Sequence, residues 1–247
     1  IFKFNIYLLY TMIELPEHFF KYLTPLLLAT TYISAFESGN PTCKRFIINY
    51  FLYLLTSFSI YITTIKIYDE KNVPINKKIT IGLTLLLLLL IVGITFTKNQ
   101  IHQHILYFLI LVIMAYLKRV YLQKLDKEVI EDTLKKMMII IIICVLIALK
   151  FPQYMNDSFL TILIFALIFV IFFRIIDYAF FDKKYNDMIS TFSVFLFSCL
   201  IMYDTNRVIK ESKNCVVQGG NPNYLDHVLD MYLNIINLFN NLSDVLE

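Results

Sequence analysis

A stripe of acids and amides runs along the C-terminal stretch LDHVLDMYLNIINLFNNLSD, residues 225–244. Its members recur every three or four positions, which places them on one face of an α-helix. They are Asp226, Asp230, Asn234, Asn237 and Asn241. A further acid, Asp204, lies earlier in the chain within IMYDTNRV. Because an acid inside a membrane span costs about 3 kcal/mol, such residues usually face a bundle interior or a water-filled path.

Asp204 and Asp230 are the two groups in this region that could hold a cation or a proton. Consecutive helices joined by residues 206–224 can pack antiparallel, which would bring Asp204 against the stripe. Two facing carboxylates would share a proton or a cation, because both cannot ionise unpaired in a low-dielectric site. The alternative is that the Asn side chains only hydrogen-bond neighbouring helices together and that Asp204 caps a helix end. The spacing alone favours neither interpretation.

The composition is that of a membrane protein. Of 247 residues, 58% are hydrophobic and 17% are charged, whereas soluble domains have about 45–50% apolar and about 25% charged residues. The mean hydropathy is +0.67. The net charge of +3 is too small to indicate a nucleic-acid partner. The lipid bilayer is the first partner that the sequence predicts.

Seven apolar runs approach the roughly 20 residues that cross a ~30 Å hydrocarbon layer. Backbone polar groups in lipid must be satisfied within the segment, so each run is predicted to be a helix. The runs cover residues 46–66, 78–97, 102–120, 136–151, 158–176, 188–205 and 225–243. The predicted fold class is therefore all-α, with residues 46–247 forming one multi-pass membrane domain, a seven-helix bundle.

Residues 1–45 are predicted to be an N-terminal extension. The stretch 19–36 is apolar but carries Lys21 and Pro25, so we expect it to be interfacial or partly inserted, an eighth span being the alternative. Met12 offers a natural start, and residues 1–11 are expected to contribute little. A cytoplasmic N-terminus would leave nine of the 22 Lys and Arg residues inside and thirteen outside. This distribution leans against that orientation and leaves it open.

The four cysteines are scattered and form no CxxC or Cys/His spacing. They are Cys43, Cys144, Cys199 and Cys215, and we expect four free thiols and no tightly bound metal. His102 and His104 are two apart, whereas a zinc pair on a helix needs a spacing of three or four. We therefore expect these histidines to lie in a loop or at a helix start.

Two segments together carry a resemblance to a known family. MYDTNRV, the following loop and VLDMYLNIINLF resemble the C-terminal signature of the transmembrane Bax-inhibitor motif family, whose members read like YDT followed by ALNLYLDIINLF. The likeness extends more loosely over residues 46–245. It implies a seven-helix bundle associated with calcium leak, and with suppression of cell death in eukaryotes and their viruses. It also implies an endoplasmic reticulum or Golgi-type membrane in a eukaryote or virus, and the plasma membrane in a bacterium.

The resemblance also implies a proton-sensitive latch of two aspartates, one on each of the last two helices. Asp204 matches the first, but the second falls on Asn234, because NLYLD has become DMYLN. The acid of the last helix is Asp230, one turn or about 6 Å away. We therefore expect a pH-sensitive calcium leak channel that inhibits cell death, with calcium binding transiently near the two acids and no cofactor. Calcium ions, protons and cell-death regulators are the expected partners.

Two other function classes are weighed against a channel. Intramembrane aspartyl proteases also carry YD on one span and an Asp on the next, but their GxGD and PAL motifs are absent here, and no other enzyme motif occurs. We therefore do not expect an enzyme. A structural or interaction subunit of a membrane complex, without ion conduction, is the main alternative. Silent Asp substitutions would indicate that alternative.

Overall fold

The computed structural model describes residues 17–37, 40–71, 76–97, 99–123, 125–218 and 222–247. These residues are almost entirely α-helical, which confirms the predicted fold class. The helices are α1 (Glu17–Ala35), α2 (Phe46–Glu70), α3 (Lys77–Phe96), α4 (Gln100–Leu122), α5 (Lys127–Lys150), α6 (Asp157–Phe180), α7 (Asn186–Gln218) and α8 (Tyr224–Leu246). Two-residue strands, β1 (Phe36–Glu37) and β2 (Asn40–Pro41), pair antiparallel between α1 and α2. Met12 and the predicted dispensable stretch 1–11 lie outside the described residues.

Each of the seven predicted spans coincides with one helix from α2 to α8. Five helices of the described chain, α2, α3, α4, α6 and α7, are long and apolar enough to cross a membrane. Helices α3 and α6 expose apolar side chains along most of their length, which is expected of helices that face lipid. Helix α8 differs, because none of its residues from Tyr224 to Asp244 is fully exposed.

Two predicted boundaries were wrong in the same way. Helix α5 begins at Lys127 instead of residue 136, and α7 continues to Gln218 instead of ending at residue 205. The apolar run ends where charged residues begin, but a helix can continue through charged residues. In α5 the charged turns carry Glu131–Lys135 and Asp132–Lys136 pairs at i, i+4 spacing, an arrangement that favours helix.

The chain divides into two compact units. The first comprises residues up to 125 together with 215–229, and the second comprises residues 126–214 together with 230–247. Helices α7 and α8 therefore each contribute to both units. The predicted boundary at residue 45 stays a prediction.

In the first unit, α1 packs on α2 through neutral hydroxyl groups. Thr24 Oγ1 lies 2.6 Å from Ser59 Oγ and 2.9 Å from Thr63 Oγ1. Farther along, the buried Thr31 and Thr56 hydroxyls are 2.8 Å apart. Part of the predicted N-terminal extension is thus a helix packed on α2. Its depth in the bilayer stays a prediction.

A disulfide bond joins Cys43 to Cys215 in the same unit, with their Cα atoms 5.6 Å apart. The expectation of four free thiols was therefore wrong for these two residues. Their 172-residue separation hides the pairing from any local motif, and only the fold brings them within the 4.4–6.8 Å that a disulfide requires. Cys144 and Cys199 are free and buried.

Candidate functional site

The candidate site is built from one face of α7 and one face of α8 in the second unit. Asp204 and Arg207 are three residues apart on α7, and Asp230 and Asn234 are four apart on α8. Residues at these spacings lie on the same side of a helix, one turn from each other. The continuation of α7 beyond residue 205 therefore places a cation beside the predicted acid.

Two side-chain contacts link these faces. Asn234 Nδ2 donates to Asp204 Oδ2 at 2.7 Å, and Arg207 Nη1 donates to Asp230 Oδ2 at 2.8 Å. The later residue on α7 pairs with the earlier residue on α8, so the two helices run antiparallel here. We call these four residues the polar ladder, with Asp204–Asn234 as its inner rung and Arg207–Asp230 as its outer rung.

The two rungs differ in exposure and charge. Asp204 is only 6% exposed, whereas the side chains of Arg207 and Asp230 are 37% and 42% exposed. In the outer rung a guanidinium balances a carboxylate in a charge-assisted contact. In the inner rung a neutral amide hydrogen-bonds the acid. With both acids ionised, the ladder carries one excess negative charge, and it belongs to the buried rung.

The structure revises the predicted pairing of the two acids. Asp204 does meet the polar stripe, but the side chain that contacts it is Asn234, the position where the acid is missing. Asp230 is held by Arg207, a residue that the sequence analysis did not single out because α7 was expected to end at residue 205. The three-residue spacing from Asp204 is the signal that would have found Arg207.

The far end of the stripe belongs to a second polar cluster. Arg174 Nη2 on α6 donates to Asn241 Oδ1 at 2.8 Å and to Ser190 Oγ at 3.0 Å. Ser190 Oγ donates in turn to Asp244 Oδ2 at 3.2 Å, and Arg174 Nη1 lies 4.0 Å from that carboxylate. Ser190 and Asn241 are buried. We call these four residues the Arg174 cluster.

The two remaining stripe residues make local contacts. The Asn237 carbonyl accepts from Asn241 Nδ2 at 2.7 Å. Asp226 lies in the first turn of α8, where its backbone N–H donates to Asn223 Oδ1 at 3.4 Å. Asn234 and Asp230 thus lie in the ladder, whereas Asn241 joins the Arg174 cluster.

Among the residues that the structure describes, no group of three or more His, Cys, Asp or Glu side chains is placed to hold a metal ion. His102 and His104 lie in the first turns of α4, so their prediction as helix-start residues is confirmed. His104 Nε2 is 3.0 Å from Tyr53 Oη, within the first unit.

Comparison with known proteins identifies the family. A family model described as "Inhibitor of apoptosis-promoting Bax1" matches residues 43–247. The chain belongs to this Bax-inhibitor family. The match covers α2 to α8, and therefore all four residues of the polar ladder. It confirms the family resemblance seen in the sequence.

One relative is similar over a short stretch. An "Uncharacterized membrane protein" of Vibrio cholerae serotype O1 is 38% identical over 58 residues, which are 24% of this chain and 22% of that protein. No solved structure matches the chain. The family and the membrane location are therefore established, and the activity has to be argued from the ladder.

Proposed function

We propose that this Bax-inhibitor family protein is a calcium leak channel whose ion path passes the polar ladder. The observation that carries the proposal is Asp204, a carboxylate only 6% exposed that follows the apolar run of α7. A charge in such a place is costly unless it serves a path or is paired. Its partner in the ladder is the neutral amide of Asn234.

The outer rung acts as the latch of this path. A cation that approaches Asp204 along the ladder first meets Arg207, whose positive charge repels it. While Arg207 and Asp230 stay paired at 2.8 Å, the rung presents little net charge. Separation of the pair exposes the Asp230 carboxylate, so the ladder then offers two acids to a divalent ion. Carboxylate oxygens are the ligands that calcium prefers.

Protonation of Asp204 closes the path in this mechanism, because it removes the charge that attracts the cation. Flux therefore falls as the pH is lowered. Because Arg207 neutralises Asp230, a second ionised acid is not held against Asp204 in the latched state. The pH response is therefore weaker than in the two-aspartate latch that the family resemblance implies.

Calcium flux from vesicles reconstituted with the full chain tests this proposal. Asp204→Asn keeps the size of the side chain and removes its charge, and we expect flux to fall about tenfold, a barrier increase of about 1.4 kcal/mol. Arg207→Gln unlatches the outer rung and should raise flux severalfold. Asp187→Asn is the matched control, because Asp187 lies exposed in the first turn of the same helix.

The outcome separates conduction from the alternative. Unchanged flux in Asp204→Asn and Arg207→Gln, in vesicles where the wild type conducts, would leave the ladder as a helix-packing device. That result would favour a structural or interaction subunit. Loss of flux in Asp187→Asn to the same degree would indicate that any charge change on α7 disturbs the protein.

We further propose that the protein inhibits cell death from an intracellular membrane if its host is eukaryotic or viral. The support is the description of the family model, which names inhibition of Bax1-promoted apoptosis. Survival of cells that express the chain under a Bax-type death stimulus tests it. If leak is the mechanism, Asp204→Asn should lose protection and Asp187→Asn should keep it.

A further inference from the structure

The disulfide in the first unit lies where two consecutive helices meet. Cys215 is near the end of α7, and Tyr224 is the first residue of α8. The segment that precedes α2 contacts both. Cys43 bonds covalently to Cys215, and the Thr42 carbonyl accepts from Tyr224 Oη. One short segment therefore holds the end of one helix and the start of the next.

Buried side chains reinforce the contact with Tyr224. Asn49 Nδ2 donates to Tyr224 Oη at 3.1 Å and to the Lys44 carbonyl at 2.9 Å. The Tyr224 ring lies 5.0 Å from that of Phe46 and 5.5 Å from that of Tyr53. Asn49 is 0% exposed and Tyr224 is 3% exposed. The first turn of α8 is thus anchored on the segment that carries Cys43.

That segment also holds a strained backbone conformation. Arg45 has a φ of 55°, in the left-handed region that residues other than glycine rarely adopt. Such a conformation persists only where its surroundings hold it in place. The disulfide at Cys43 and the hydrogen-bonded carbonyls of Thr42 and Lys44 precede Arg45, and the ring contact of Phe46 with Tyr224 follows it. Loss of the covalent bond would leave this turn held by non-covalent contacts alone.

The location of the disulfide agrees with the distribution of positive charge. Disulfides persist in oxidising compartments and are rare in the reducing cytosol. The distribution of Lys and Arg residues independently disfavours a cytoplasmic location for the residues that precede α2. Cys43 lies immediately before that entry. Disulfide chemistry therefore favours the non-cytosolic side, and the charge distribution, which leaves the orientation open, does not oppose it.

We propose that the Cys43–Cys215 disulfide is a redox-sensitive clamp that fixes the first turn of α8 on the non-cytosolic face of the membrane. A dithiol reductant breaks the S–S bond by thiol–disulfide exchange, ending as its own disulfide and leaving thiols on Cys43 and Cys215. This releases the end of α7 from the segment before α2 and loosens the contacts of Tyr224. Asp230 lies six residues farther along α8, about 9 Å along the helix axis. The clamp orders the first turn of α8, within the first unit, and its existence does not rest on ion conduction.

Thiol counting in native membranes tests the bond and its side. Sealed vesicles with the cytosolic face outward are treated with a reductant, and the reductant is washed away. The protein is then denatured in excess maleimide, and the adducts are counted by mass. We expect two reactive thiols, Cys144 and Cys199, without reductant or with a membrane-impermeant one, and four with a permeant one. The Cys144→Ser/Cys199→Ser variant should show no reactive thiol without reductant or with the impermeant one, and two reactive thiols with the permeant one. Four thiols without reductant, or reduction by the impermeant reagent in sealed vesicles, would overturn the proposal.

Hydrogen exchange of the full chain tests the consequence. Reduction, or the Cys43→Ser/Cys215→Ser variant without reductant, should raise exchange of residues 224–229 about tenfold. Tyr224→Phe keeps the disulfide and the ring contacts, and it should raise the exchange of residues 224–229 less than reduction does. Cys144→Ser/Cys199→Ser is the matched control and should leave it unchanged. Identical exchange in the oxidised and reduced protein would show that the disulfide clamps nothing.

Discussion

The two units hold their helices together with different chemistry. In the first unit, α1 and α2 contact each other through neutral groups, such as the hydroxyls of Thr31 and Thr56 and the Ser34 hydroxyl with the Asn49 amide. A disulfide secures the start of α8. In the second unit the contacts carry charge, as in the polar ladder and the Arg174 cluster. Loss of one partner leaves an unsatisfied polar group in a neutral pair and, at a larger cost, an uncompensated ion in a charged pair.

This difference suggests a division of roles. A charge in an apolar setting is retained where a protein must attract, repel or switch, because packing alone is achieved more cheaply with neutral groups. The charged contacts of the polar ladder and the Arg174 cluster are therefore the functional candidates, whereas the α1–α2 contact anchors its two helices. If charge is what distinguishes these contacts, substitutions at the charged contacts should have larger effects than substitutions at the neutral ones.

The largest effect on stability is expected from Arg174→Met. This variant keeps the apolar stem but removes the cation that contacts Asn241, Ser190 and Asp244. We expect the free energy of unfolding to fall by about 2 kcal/mol, below the full cost of a broken buried pair because Arg174 is half-exposed. Thermal unfolding in detergent measures it. Lys135→Met, at an exposed i, i+4 pair, is the control and should change stability by less than about 0.5 kcal/mol.

The next effect concerns pH and the displaced acid. Asp230→Asn with Asn234→Asp rebuilds two facing acids at Asp204, which must then share a proton. We expect calcium flux to fall about tenfold between about pH 8 and about pH 6, against about threefold or less in the wild type. Asp230→Asn alone should not steepen the profile. Equal profiles in the exchange variant and the wild type would show that residue 234 does not control the pH response.

A smaller effect is expected for the outer rung itself. A double-mutant cycle of Arg207→Ala and Asp230→Ala should give a coupling energy of about 1 kcal/mol, because both side chains are partly exposed and screened. Chemical unfolding of the four proteins measures it. Additive effects of the two substitutions would contradict the ion pair as a latch.

The smallest effect is expected for the hydroxyl pair of the first unit. Thr31→Val removes one side of a neutral contact with Thr56, and interhelical hydrogen bonds in membranes average about 0.6 kcal/mol. We expect a loss of that size in the free energy of unfolding. Thr191→Val is the control, since its exposed hydroxyl bonds only the carbonyl of Asp187 among the contacts described. A loss as large as that of Arg174→Met would remove the contrast between the units.

The sequence alone determined the class of the protein and most of its helices. The apolar runs located α2 to α8, and five of these helices are long and apolar enough to cross a membrane, where each span must satisfy its backbone internally. The segments around Asp204 and Asn234 indicated the family, and their spacing placed both on inward helix faces. These inferences succeed because helix periodicity, and the need of a membrane span to satisfy its own backbone hydrogen bonds, are local properties of the chain.

Only the tertiary structure decided which residues are partners. Arg207 was hidden because α7 continues through charged residues that end the hydropathy signal. Cys43 and Cys215 were expected to be free because a disulfide across 172 residues has no local signature. Asp230 was expected to face Asp204, whereas the antiparallel register of α7 and α8 opposes it to Arg207. Register and long-range contact depend on how whole helices pack, and no short stretch of sequence encodes that packing.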